Sequence, residues 1–157
     1  MSVSLLQQVP LFRKVAPEEL AALSKIAEER AVPAGGSLFE EGSASDGLCV
    51  IVTGKIEIWK RAFDGAPQHL STLGPGDTIG EMSLLDGEPR SASAKAAEAA
   101  TVLLFRRDDF HQYLIDRPAL GVQFLLRIVR MLTGRLRRTS QELADVVSLS
   151  STDLETH

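Results

Sequence analysis

A chain of 157 residues is long enough for one domain with a sizeable core and an appended helix. Its net charge of -4 and pI near 5.4 argue against a general nucleic-acid binder, and no apolar run approaches membrane-spanning length. The single cysteine, Cys49, cannot form an internal disulfide, and the N-terminus lacks a signal peptide's charged start and long apolar run, so the expected location is the cytoplasm.

Leu5, Leu6, Val9, Leu11 and Phe12 around Pro10 predict a short helix or turn packed on something larger. Pro17 followed by Glu18 and Glu19 opens a helix, because proline suits the first turn and acids there meet the positive end of the helix dipole. Leu20, Leu23 and Ala27 form its apolar stripe, so residues 1–30 are assigned to an N-terminal helical segment. From 31 to 107 the pattern changes to short β-type runs, among them Ser37 to Glu40, Leu48 to Thr53, Lys55 to Lys60, Gln68 to Leu73, Ser91 to Ala97 and Thr101 to Arg106. Punctuation by Gly, Pro and Asp between such runs indicates a β-sandwich or barrel. The run CVIVTGKIEIW reads as two strands joined by a bend at Gly54, and Asp64-Gly65 suits the hairpin that follows. Cys49, inside LCVIV, is expected to be a buried structural thiol.

The segment LGPGDTIGEMSLLDGEPRSASA has little to bury and much to hold. Gly80 can take backbone angles forbidden to other residues and lets another molecule approach the main chain. A single helical turn after it would present unpaired N–H groups as an anion site, and Arg90 would add a planar fork of donors suited to phosphate oxygens. Glu81 can only accept hydrogen bonds when ionised, so beside a phosphate it needs a donor such as a sugar hydroxyl. The residues therefore ask for a ligand with a phosphate on one side and a hydroxyl on the other.

After 108 the periodicity is helical. Asp108 and Asp109 are read as the cap of a segment with Phe110, Tyr113 and Leu114 on one side, and Pro118 ends or restarts it. The longest helix is expected from Pro118 to about Val147, followed by a polar tail at 148–157. Within it Leu125, Val129, Leu132, Leu136, Thr139, Leu143 and Val146 alternate spacings of four and three, the heptad stripe of a helix that pairs with its own kind. The arginines at 127, 130, 135, 137 and 138 are read as a solvated face near Glu142 and Asp145.

The run Gly80, Glu81, Met82, Ser83, Leu84, Leu85, with Pro89, Arg90, Ser91 and Ala92, resembles the phosphate-binding cassette of the cyclic nucleotide-binding domain family, here residues 80–92. The resemblance extends from about Leu11 to Val147 and implies an eight-stranded β-roll of jelly-roll type, mainly β, with N-terminal helices and a long C-terminal helix. It implies that Glu81 accepts from the ribose 2′-hydroxyl and that Arg90 pairs with the cyclic phosphate. Ser91 stands where a hydroxyl can reach the phosphate and leaves adenine against guanine open; Ser83 replaces the alanine usual in the cassette helix. Arg135-Leu136 to Thr139-Ser140 resembles the dimer helix of the family's catabolite activator proteins, which implies that Thr139 and Ser140 meet the base, one from each subunit.

The expected function is a cyclic nucleotide-binding sensor, with cyclic AMP favoured, a homodimer formed through the C-terminal helix, and an unidentified regulated protein partner. A cyclic GMP receptor and a ligandless dimerising adaptor are the alternatives. The family's DNA-reading helix-turn-helix would follow the long helix, where this chain has a polar tail, so neither DNA nor membrane binding is expected. No cofactor or metal is expected either. His69, His111 and His157 lack metal-site spacing, and no Ser/His/Asp or Cys/His set has supporting context, so the chain is not expected to be an enzyme.

Overall fold

The computed structural model describes residues 3–154. Helix α1 (Val3–Gln8), a 3-10 turn at Pro10–Phe12 and α2 (Pro17–Ser24) precede the strands β1 (Ala27–Val32), β2 (Ser37–Phe39), β3 (Gly47–Arg61), β4 (Pro67–Leu73) and β5 (Thr78–Ile79). The short helix α3 (Glu81–Asp86), strand β6 (Ser93–Arg106), and helices α4 (Arg107–Ile115) and α5 (Pro118–Leu154) complete the order. All strand pairings are antiparallel, in the path β1-β6-β3-β4, with β2 added to β6 and β5 to β3; the sheet does not close.

Six described strands stand where eight were expected, because two long strands each run through a pair of predicted ones. β3 joins the segments on either side of Gly54, and β6 joins those on either side of residues 98–100. Gly54 carries the bend, at φ +83, where an added Cβ would lie 2.6 Å from the Ala100 Cα. The β3–β6 register shifts around that kink, as β-bulges do when they bend a strand.

Alternate residues of the apolar runs face two separate cores. Leu48 and Val50 of β3, with Leu103 and Phe105 of β6, pack under the helices; Cys49 and Ile51, with Val102 and Leu104, fill the interior of the roll. This two-sided burial explains why LCVIV and VLLF are continuously apolar instead of alternating. Phe12, Phe105, Phe110 and Phe124 knit the helical layer to the sheet, with ring centroids 4.9–6.1 Å apart and mostly edge-to-face, each such pair contributing about 0.5–1.5 kcal/mol beyond its burial.

Several expected boundaries move. Ala27, assigned from sequence to the stripe of α2, is the first residue of β1, so the helical segment stops short of residue 30. Asp108 and Asp109 lie in the first turn of α4 and make no side-chain cap; they serve the dipole instead. α5 continues through the expected polar tail to Leu154, while His157 lies outside the described residues. Phe124, Ile128 and Leu132 on one face of α5 pack against the core, which withdraws Leu132 from the expected self-pairing stripe. From residue 133 to 151 every position is exposed.

Candidate functional site

β5 ends at Ile79, and Gly80 turns the chain into α3 at φ +92, in the left-handed region that favours glycine. The turn has a second requirement: a Cβ at Gly80 would collide with the Arg90 guanidinium and come within 2.7 Å of the Gly47 carbonyl. The missing side chain is therefore the space in which Arg90 lies. Loop 87–92 brings that arginine back across the bend, anchored by its main-chain N–H to the Ser43 carbonyl at 2.9 Å and by its carbonyl accepting from Gly42 N–H at 2.8 Å.

Arg90 is only 3% exposed. Its Nη2 donates to Asp46 Oδ1 at 2.6 Å, and its charged plane covers the Phe39 ring at 4.1 Å. Nε and Nη1 are buried without hydrogen-bond partners. Glu81, also 3% exposed, accepts from the Thr78 hydroxyl through Oε1 and from Arg135 of α5 through both oxygens, at 3.1 and 3.2 Å. A buried carboxylate requires such donors, since an unpaired one would lose its hydration without replacement.

Both groups line one cavity of about 700 Å³. Gly80, Glu81, Met82, Ser83, Arg90, Ser91, Ala92 and Thr139 of the sequence-predicted set line it together; Ser140 does not. Helical geometry accounts for the exception: at about 100° per residue, Arg135, Arg138, Thr139 and Glu142 fall within one arc of about 100°, and Ser140 points a further 100° away. The lining also includes the apolar Ile58, Leu70 and Leu73.

Sequence reasoning missed Asp46, Thr78 and Arg135. No local pattern marks Asp46, 44 residues from Arg90, whereas the spacing of Arg135, Arg138, Thr139 and Glu142 on one helical face was visible. The solvated-face reading of the arginines is corrected at Arg135, bonded to Glu81, and at Arg127, whose Nη1 donates to the Leu11 carbonyl at 3.2 Å. The Arg90 network continues outward through Asp46 to Arg30 at 3.3 Å and on to Glu28, which hydrogen bonds from Arg30 and Arg106 hold below the usual carboxylate range. Behind the cavity Cys49 pairs in register with Ile79, and burial pushes its thiol up to about 12. Of the described histidines, His69 stacks edge-on against Trp59 and His111 bonds the Leu84 carbonyl through Nε2 at 2.6 Å.

The chain belongs to the cyclic nucleotide-binding domain family, whose profile matches residues 29–117, more than half of its length. It is 36% identical over 143 residues to the CRP-like cAMP-activated global transcriptional regulator of Mycobacterium tuberculosis, an alignment covering 91% of this chain and 62% of that protein. The chain thus spans less than two thirds of the length of that relative. The crystal structure of the Thermus thermophilus catabolite activator protein superposes with a TM-score of 0.79 at 34% identity, over 88% of this chain and 63% of that one. A cyclic nucleotide-binding domain from Methylobacillus flagellatus gives 0.78 at 31% identity, over 91% and 80%. The relatives are regulators rather than enzymes. No helix among the described residues is long and apolar enough to cross a membrane.

Proposed function

We propose that this chain is a cyclic nucleotide-binding regulatory module, that cyclic AMP is its preferred ligand, and that it signals through movement of α5. The observation that carries the reading is Arg90: a guanidinium almost wholly removed from water, with Nε and Nη1 unpartnered, beside a glycine bend and lining one cavity with the Glu81 carboxylate. Buried donors without acceptors cost about 1–3 kcal/mol each, and a cyclic phosphate supplies those acceptors. Glu81 would accept from the ribose 2′-hydroxyl, with Ser83 and Ser91 as further polar groups along the cassette. Thr139, which lines the cavity, would meet the adenine, and Ser140, which does not, would serve the site of a partner subunit. The work asked of these residues is binding, not bond breaking.

Signalling follows from Arg135. Its fork ties the middle of α5 to the carboxylate that a ribose would engage, so ligand and helix compete for or share the same two oxygens. A ligand that binds one helix position better than another shifts the population towards it. Dimerisation through α5 is supported by the exposed Leu125, Val129, Leu136, Leu143 and Val146, which remain uncovered by the chain's own core.

Calorimetric titration with cyclic AMP and cyclic GMP tests the function directly. Arg90→Ala should weaken cyclic AMP binding by about 2–5 kcal/mol, the range for truncating one partner of a buried charged contact. Equal affinities of variant and parent would remove Arg90 from the site, and the absence of any saturable heat in the parent would favour the ligandless adaptor.

A further inference from the structure

We infer that Lys60 is a positioning residue for the phosphate site: it holds the main chain of Ser91, the residue after Arg90, and so sets where the Arg90–Ser91 pair meets a phosphate. The inference rests on the proposed cyclic nucleotide function and adds to it a side chain that does not touch the nucleotide. Lys60 Nζ donates to the Ser91 carbonyl and to Glu41 Oε1, the latter at 3.3 Å. Glu41 is fixed in turn, since its Oε2 accepts from the Arg61 main-chain N–H at 2.9 Å and its own N–H donates to Ser93 Oγ at 2.8 Å. The hydrogen bonds from the Arg61 N–H and from Lys60 hold the Glu41 carboxyl below the usual carboxylate range, so it stays ionised beside the ammonium.

The surrounding backbone explains why such a support is needed. Residues 87–92 belong to no helix or strand, and Pro89 among them has no N–H to donate. Arg90 bonds through its main chain to Gly42 and Ser43, which lie in the loop between β2 and β3 and are equally irregular. Bonds between two irregular segments let them shift together. Lys60 belongs instead to β3, a strand of 15 residues paired with β4 and β6. Its amine reaches both segments, one through the Ser91 carbonyl and the other through Glu41, and so ties them to the sheet. A group held from a strand is placed more closely than one held from a loop, and bonds from a charged donor are roughly twice as strong as neutral ones.

Placement separates this role from direct contact. Arg90 and Ser91 line the cavity at the glycine bend, whereas Lys60, Glu41 and Ser93 line a second cavity of about 770 Å³ that shares no lining residue with the first. A ligand in the first cavity meets Ser91 and Arg90, and the lysine acts on it through them. Loss of the amine leaves every lining group of the first cavity in place and frees only their anchorage.

The experiment is calorimetric titration of the full chain and of the Lys60→Met and Lys60→Arg variants with cyclic AMP and with ribose 3′,5′-cyclic phosphate, which has no base. Lys60→Met should weaken both ligands alike by about tenfold, the lower end of what losing the outer partner of a metal ligand costs. Lys60→Arg keeps a charged donor and should restore the parental affinity. The phosphorus-31 resonance of bound cyclic AMP should shift in the methionine variant and return in the arginine variant. Thermal melts should coincide, since the Lys60 side chain is half exposed and its ion pair lies at the surface. Parental affinity in Lys60→Met, a loss that disappears in high salt as the pull of a remote charge would, or a loss that arginine does not restore would overturn the positioning role while leaving the function intact. A parent that binds neither ligand would overturn the function and this role with it.

Discussion

Gly80 is held by two demands at once, a positive φ and the proximity of the Arg90 guanidinium. Gly80→Ala should therefore strain the backbone by about 1–3 kcal/mol and displace Arg90 as well, so denaturant midpoints fall and cyclic nucleotide affinity falls further than stability alone explains. Retention of parental affinity would show that the bend and the arginine are independent. Cys49 makes a different prediction. Its folded thiol titrates near about 12, above the unfolded value of about 8.5, so between these values the unfolded chain has released a proton that the folded chain retains. Stability linked to this group is full below about pH 8.5 and is lost as pH rises towards about 12. Cys49→Ser should flatten the alkaline limb of a stability-versus-pH curve, and an unchanged slope there would assign the alkaline loss to other groups.

Among the elements, α5 has two adjacent faces with different work. One packs Phe124 and Ile128 into the core and then, beyond Leu132, turns its polar residues to the cavity; the other leaves an apolar stripe in solvent. Arg135 lies just beyond the packed half and ties the exposed half to Glu81. Arg135→Ala leaves Glu81 with the Thr78 hydroxyl as its remaining bonded partner, at a cost of about 1–3 kcal/mol for the buried acceptor left under-satisfied. Amide exchange in the half of α5 after residue 132 should accelerate in the variant without ligand. Exchange that stays at the parental rate would mean that the ion pair does not hold the helix.

For the whole molecule the overhang matters most. Residues 133–151 extend roughly 28 Å as an exposed helix, and helices in proteins draw most of their stability from packing of an apolar face rather than from propensity. A second α5 would cover Leu136, Leu143 and the neighbouring apolar positions. Leu136→Glu with Leu143→Glu should convert a dimer to a monomer in sedimentation equilibrium and lower the helical signal. A parent that sediments as a monomer at all concentrations would remove the helix-pairing proposal. The ligand contacts in such a variant should weaken at the base and persist at the phosphate, since Glu81 and Arg90 belong to one chain.

What the amino-acid order determined by itself was whatever rests on short-range patterns: the glycine bend with its acid and base, the β-type runs with their punctuation, the helical period after 108. These are local because backbone angles and side-chain periodicity are set within a few residues. The bend at Gly54 was legible, yet whether it ended a strand or kinked one depended on β6 running alongside. Tertiary structure decided everything that joins distant segments. Asp46 found Arg90, Arg135 found Glu81, and Leu132 went to the core because the sheet and α5 bring together residues whose separation in the chain carries no periodic signal. A charge's partner is chosen by the fold's geometry, which packing of the two cores sets and no local motif records.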